Sequence, residues 1–280
     1  MREINQETVI EAVKRLCQEA NYCLPQDVKQ ALLDAYYQED SSIGKQTLDI
    51  LNQNAVMAQE TSSPICQDTG MACVFVEIGQ DVHVNGSLEE TIHEGVRQGY
   101  EEGYLRKSVV LDPVFDRINT KDNTPAIINY QIVEGDNLKI TVAPKGFGSE
   151  NMCQVKMLKP SDGVEGIKDF VLKVVNDAGP NACPPMVIGV GIGGSFDRVT
   201  LLSKKAMMRT IGTHHSDARY QALEEELLDM INRTGIGPAG YGGKTTALSL
   251  NIETYPTHIA GMPVAVSICC HVARHKEVTL

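Results

Sequence analysis

Eight cysteines, at positions 17, 23, 66, 73, 153, 183, 269 and 270 of a 280-residue chain, are the side chains with the most chemistry to offer. The N-terminal MREINQETVIEAVKRL has scattered charges and no apolar segment of the secretory kind, so a reducing cytosol is expected. There, thiols serve as metal ligands, as nucleophiles or as small buried side chains. Cys17 lies in an amphipathic helical pattern and Cys73 in the apolar run MACVFVEIG, and both read as small hydrophobes. Cys66 in SSPICQDTG, Cys183 in NACPPMVIG and Cys270 in AVSICCHVAR differ, each ending an apolar segment or abutting a proline-bearing turn. Separations of 117 and 87 residues, with no CxxC anywhere, do not suit a zinc ribbon or a ferredoxin-type run, whose ligands come in local groups. Gathered by the fold, three thiolates would leave a tetrahedral metal or a cubane cluster one ligand short, and an open metal position can take a substrate oxygen as a Lewis acid. The competing reading is three unrelated core cysteines.

CQDTG sets an amide, a carboxylate and a hydroxyl beside Cys66, in a turn where Gly70 permits positive φ. Asp68 and Thr69 could equally cap backbone donors of that turn. GVGIGG (189–194) matches the dinucleotide-binding GxGxxG, but the helix after it leads to THHSDAR and another helix, not to a second strand ending in an acidic residue. These glycines are read as close helix–strand packing. His214, His215 and Asp217 in THHSDAR are read as a loop and helix N-cap in preference to a mononuclear metal site.

The elements that must position these residues follow from hydrophobic periodicity. Helices are expected at about 5–21, 26–38 and 43–60, making a helical N-terminal layer, and strands at 71–79, 125–133 and 138–144 with a helix near 88–104. The stretch 105–124 has no clear period, and unstructured segments of that length tend to be functional. The second half alternates: helix 163–178, strand 186–192, helices 195–208 and 217–234, then strands in TTALSLNIET and PVAVSICC. The fold class expected is mixed α/β, a helical N-terminal layer followed by mixed β-sheet with flanking helices. Breaker-rich turns stand at 159–163 and 235–244, but no linker or composition shift demands a boundary, so one domain over 1–280 is expected. With 25 Lys and Arg against 36 Asp and Glu, a net charge of −11 and no basic stripe, neither nucleic acid nor anionic membrane is an expected partner. No apolar run approaches the roughly 18 residues of a membrane span.

Six blocks in order, SSPICQDTG, YLRKSVVLDPVFDRINTKDNTPA, APKGFGSENM, NACPPMVIGVGIGG, GIGPAGYGGKTTAL and PTHIAGMPVAVSICCHVAR, resemble the class I, iron–sulfur-dependent fumarate hydratases, specifically the α subunit of the two-subunit form. The resemblance covers essentially the whole chain and implies the fold of that family's N-terminal catalytic domain. It implies a [4Fe–4S] cluster held by Cys66, Cys183 and Cys270 with one iron left open for substrate. Of the adjacent pair, strand alternation lets only one of Cys269 and Cys270 face the cluster, and the family pattern favours Cys270. By position, Asp68 is implied in catalytic proton transfer, while Gln67, Arg106, Gly146, Gly148 and His258 are implied in substrate binding. Arg106 would offer a planar fork to a carboxylate, and the glycine turn KGFGSEN would bring backbone N–H groups near one. Without the resemblance, Arg106 reads as a surface loop arginine and His258 as the end of a strand.

The implied reaction is reversible hydration of fumarate to (S)-malate, by an oxygen-sensitive enzyme. A separate β subunit is implied as the partner that completes the site, in an α₂β₂ heterotetramer. The tartrate dehydratase α subunit shares CQDTG and NACPP; KGFGSENM is read as leaning to fumarase, with tartrate and mesaconate kept as alternatives. The non-enzymatic alternative is an iron–sulfur regulatory module, which would need saturated ligation and no carboxylate clamp.

Overall fold

A computed structural model describes every residue from 1 to 280. The chain groups into two compact units, each assembled from separated stretches: residues 1–25, 55–147 and 274–280 in the first, 26–54 and 148–273 in the second. The chain passes between these groups at residues 25–26, 54–55, 147–148 and 273–274.

In the first unit a short strand β1 (Arg2–Ile4) leads into α1 (Gln6–Tyr22), capped by Asn5, whose side-chain oxygen accepts the Glu7 N–H at 3.1 Å. The buried stripe Val9, Val13, Leu16, Cys17 and Ala20 has helical spacing and faces the core. Cys17 is fully buried and burial pushes its thiol up to about 12, so it stays neutral and acts as the expected small hydrophobe. α2 (Gln26–Gln38) belongs to the second unit, and the division falls inside α3 (Ser42–Thr61). The first unit's sheet runs from β2 (Met71–Gly79); β3 (Val82–Val84) pairs with β1 in a separate two-stranded ribbon. β4 (Ile127–Val133) lies parallel to β2, and β5 (Leu138–Lys145) lies antiparallel on its other side. α4 (Leu88–Glu102) packs on α1 through Gly95 and Gly99, where added Cβ atoms would lie 2.7 and 2.9 Å from the Cβ atoms of Val13 and Cys17. Val74, Val76, Ile140 and Val142 from the sheet meet Val13, Ile92 and Tyr100 from these helices to form the core.

α5 (Phe147–Glu150) is a single turn at the next crossing point. The second unit's sheet has the order β6, β9, β7, β8, with β6 at Gln154–Leu158, β7 at Met186–Gly193, β8 at Ala247–Tyr255 and β9 at Met262–Cys269. β7 runs parallel to β8 and antiparallel to β9. Every residue of β7 is buried, because helices cover both faces. Ile188, Val190 and Ile192 join the core made with α6 (Gly163–Ala178) and α8 (Ala218–Asn232). The alternate residues Gly189 and Gly191 face α7 (Phe196–Ala206). GVGIGG is therefore a packing motif, as read from its context. β10 (Lys276–Thr279) returns to the first unit and pairs with β5.

The mixed α/β class and all the long elements agree with the sequence reading to within a few residues. The short strands β1, β3, β6 and β10 were not anticipated; at three to five residues, they carry too few alternations to stand out from coil.

An added Cβ at Gly191 would sit 2.2 Å from the Val199 carbonyl oxygen and 2.8 Å from Ser203 N, both α7 backbone atoms. Gly191→Ala is expected to cost about 1–3 kcal/mol, read as a lower urea midpoint with unchanged slope.

Candidate active site

The first unit builds an interlocked frame around residues 66–70. Gly70 has φ +72°, and a side chain there would come within 2.5–2.8 Å of the Lys145 backbone. Only glycine fits, so the end of β5 lies directly against the turn. Asp68 bridges the two: Oδ1 accepts the Gly70 N–H at 3.0 Å and Oδ2 accepts the Phe147 N–H at 2.8 Å. An added Cβ at Gly146 would stand 3.0 Å from the same Oδ2. The Asp68 carboxylate thus does serve as a turn cap, though each oxygen retains a lone pair for another donor.

Thr69 Oγ1 donates to the Arg106 carbonyl at 3.1 Å, tying the aperiodic loop to the turn. Arg106 and Gln67 are exposed, while Cys66 is half-buried with its sulfur accepting the Asp68 N–H at 3.4 Å. The same sulfur lies 3.6 Å from Gln67 Oε1, to which its S–H donates. Three buried side chains hold the turn from behind. Tyr100 Oη lies 2.8 Å from the Thr69 carbonyl and 3.1 Å from that of Gly70. Asn123 Nδ2 donates to the Gly70 carbonyl at 3.1 Å while its Oδ1 accepts the Ser108 N–H at 2.7 Å. Arg274, only 6% exposed, donates through Nη2 to the Asp68 carbonyl and through Nε to that of Pro144. Its Nη1 is buried without a partner.

The second unit holds Cys183, Cys270, Gly148 and His258. Cys183 is exposed in the left-handed region, φ +51°, after a 3₁₀ turn at 179–182. Its carbonyl takes the His271 backbone N–H at 3.2 Å and lies 3.0 Å from His271 Nδ1, so the loops bearing Cys183 and Cys270 are joined by the residue beside Cys270. The Ala239 N–H reaches the Pro184 carbonyl at 2.8 Å, and Gly240 packs on Pro180, so 235–244 braces the same turn. β9 ends at Cys269, leaving Cys270 beyond the strand: alternation governs Cys269 alone, and the loop orients Cys270.

His258 is exposed in the turn between β8 and β9, and its Nδ1 accepts the Ala260 N–H at 3.1 Å. An accepting Nδ1 places the ring proton on Nε2, a donor for an incoming oxygen. The turn borders a cavity of about 650 Å³ whose walls include Ile167, Ile192, Leu223 and Met262, with Arg219 and His258 also on the lining. Gly148 is exposed, and an added Cβ would be 3.6 Å from the Asn181 carbonyl.

The structure brings Cys66, Gln67, Asp68, Arg106 and Gly146 together in the first unit, and joins Cys183 to the Cys270 loop in the second. No three His, Cys, Asp or Glu side chains are gathered as a metal-binding group. His215 and Asp217 act as loop and cap residues: the His215 N–H bonds Glu224, and Asp217 caps α8 and pairs with Arg219, which holds its carboxyl at about 2. Sequence reasoning missed Tyr100, Asn123, His271 and Arg274 as parts of the frame. The last two lay within the CCHVAR block, where only their proximity to Cys270 could have signalled them.

The family model described as fumarate hydratase (Fumerase) matches residues 10–279, which covers both units. The chain belongs to this fumarate hydratase family. It is thus a member of a family of hydro-lyases, enzymes that add or remove water at a carbon–carbon bond. A protein of Methanocaldococcus jannaschii named "Putative L(+)-tartrate dehydratase subunit alpha" is 44% identical over 268 residues, 94% of each chain. The L(+)-tartrate dehydratase subunit alpha of Escherichia coli strain UTI89 is 34% identical over 261 residues, 92% of this chain and 85% of that one. The same-named protein of strain K12 is 33% identical over an equal span. No helix of this family member is long and apolar enough to cross a membrane.

Asn123 is fully buried with both ends of its amide bonded. Asn123→Ala leaves the Ser108 N–H and Gly70 carbonyl without these partners, an expected loss of about 2–4 kcal/mol. Urea unfolding measures that loss, and limited proteolysis should show 104–124 cut faster.

Proposed function

We propose that this chain is the α subunit of an iron–sulfur hydro-lyase that interconverts fumarate and (S)-malate, completed by a β subunit in an α₂β₂ assembly. The observation that carries the reading is the Cys66 turn: a thiol with a backbone donor at its sulfur, a carboxylate two residues on, and a buried guanidinium behind them with one nitrogen unpartnered.

The donor chemistry fits a [4Fe–4S] cluster held by Cys66, Cys183 and Cys270. All three stand on loops outside the core, unlike Cys17 and Cys73, and soft thiolates are the usual cluster ligands. The unpaired positive charge of Arg274 suits a turn that carries an anionic group. Bound there, the cluster supplies a Lewis-acidic position that polarises the substrate's hydroxyl oxygen.

The chain's own groups do the rest. The exposed Arg106 guanidinium pairs with a substrate carboxylate, and the backbone N–H groups of Gly146 and Gly148 add donors. His258 Nε2–H donates to a substrate oxygen, and the exposed Gln67 amide orients the acid beside Asp68. In the dehydration direction Asp68 assists removal of the proton from the carbon next to the departing hydroxyl. That C–H electron pair becomes the second carbon–carbon bond as the C–O bond breaks, so proton and hydroxide leave as water with no net redox change. The β subunit supplies further groups for the far carboxylate.

The names of the relatives favour a second reading, dehydration of L(+)-tartrate; mesaconate is a further substrate of the same shape. Fumarate, malate and tartrate share two carboxylates flanking the reacting carbons, so the residues above serve each. Anaerobically prepared α and β chains, assayed side by side, decide: kcat/KM for fumarate or malate at least about 100-fold above that for L(+)-tartrate supports the first reading. The reverse ratio establishes the second, and no turnover of any of these acids sinks both.

Cluster assignment has its own readout in iron and sulfide content. Cys66→Ala, Cys183→Ala and Cys270→Ala should each abolish incorporation of about four iron and four sulfide per chain, whereas Cys269→Ala should retain it. Full retention in Cys270→Ala would overturn the ligand set.

A further inference from the structure

The first unit's sheet ends at β4, whose only strand neighbour is β2. Sheet edges in soluble proteins are usually blunted by charge, proline or a bulge, because unpaired backbone groups recruit another strand. Edge strand β10 carries Lys276 and Glu277, β6 carries Lys156 and β8 carries Glu253, but β4, IINYQIV, has neither charge nor proline. It is also exposed and apolar: Ile127 and Tyr130 are each 46% exposed and Ile132 is 71% exposed.

The strand reads almost the same in both directions about Tyr130. Antiparallel pairing with a second copy would set Ile127 opposite Val133, Ile128 opposite Ile132, Asn129 opposite Gln131, and Tyr130 opposite itself. Every pair is then apolar with apolar, amide with amide or ring with ring, with no unlike partner. Val74 and Val76, the β2 partners of Ile128 and Tyr130, are core residues beneath α1 and α4. Ile128, Tyr130 and Ile132 therefore share the helix-covered face, and the pairing would continue that apolar strip across the two-fold axis. A self-complementary patch is what an isologous interface requires, and an unrelated partner strand would have no need of such symmetry.

We propose that β4 is a homodimer interface: two copies of this chain pair β4 against β4 about Tyr130, fusing their four-stranded sheets into one. The pairing depends on β4 alone, so failure of the hydro-lyase reading would leave it standing, and its own failure would leave the hydration chemistry untouched.

Sedimentation of the full chain at micromolar concentrations should show a dimer. Tyr130→Glu, which sets two carboxylates face to face at an exposed position, should weaken it by about 100-fold or more with an unchanged circular dichroism spectrum. Mixing Tyr130→Glu with Tyr130→Lys should restore association. Tyr130→Cys should form a 130–130 disulfide under mild oxidation, mapped by peptide mass spectrometry, whereas Ile127→Cys should not, its two copies being about 20 Å apart in this register. A monomeric wild-type chain, a dimer indifferent to Tyr130→Glu, or cross-linking at 127 in place of 130 would each overturn the proposal.

Discussion

The turn at residues 66–70 is held by a buried cation. Arg274 brings a guanidinium into the interior of the first unit and spends two of its nitrogens on backbone carbonyls, those of Asp68 and Pro144. No carboxylate pairs with it, yet an arginine stays charged at any accessible pH. A buried charge with an unpartnered N–H is costly unless something anionic shares its surroundings. The turn it grips carries the Asp68 carboxylate, and neutral groups, Tyr100, Asn123 and Thr69 among them, also converge on this short stretch.

The second unit solves a similar problem differently. Cys183 sits in the left-handed region without being glycine, a strained conformation that persists because its surroundings over-determine it. His271 closes on its carbonyl from one side, and the 235–244 loop braces the neighbouring prolines from the other. That loop is itself anchored: Glu39, 3% exposed, accepts the Lys244 N–H at 2.8 Å as well as the N–H groups of Asp40 and Ser41. A candidate ligand on a loop is thereby placed by backbone hydrogen bonds as firmly as one on a strand.

Both units keep their rigid elements close by omitting side chains. Gly95 and Gly99 let α4 approach α1, and Gly189 and Gly191 let α7 approach β7. The resemblance of GVGIGG to a nucleotide-binding signature has this origin: both patterns ask for small residues where a helix meets a strand.

The sequence by itself determined the element types and the inventory of reactive groups. Amphipathic stretches such as Val9, Val13 and Leu16 announce a helix because burial of one stripe is a local periodic property, and CQDTG announces chemistry because its side chains are adjacent in the chain. Short edge strands, with few alternations, stayed invisible. Only the tertiary structure decided that Asp68 is gripped by Phe147 and Arg274, 79 and 206 residues away, and that Cys183 is tied to His271 across 88. Such contacts depend on which distant backbone groups the packing leaves within hydrogen-bond reach, and no local pattern of residues encodes that.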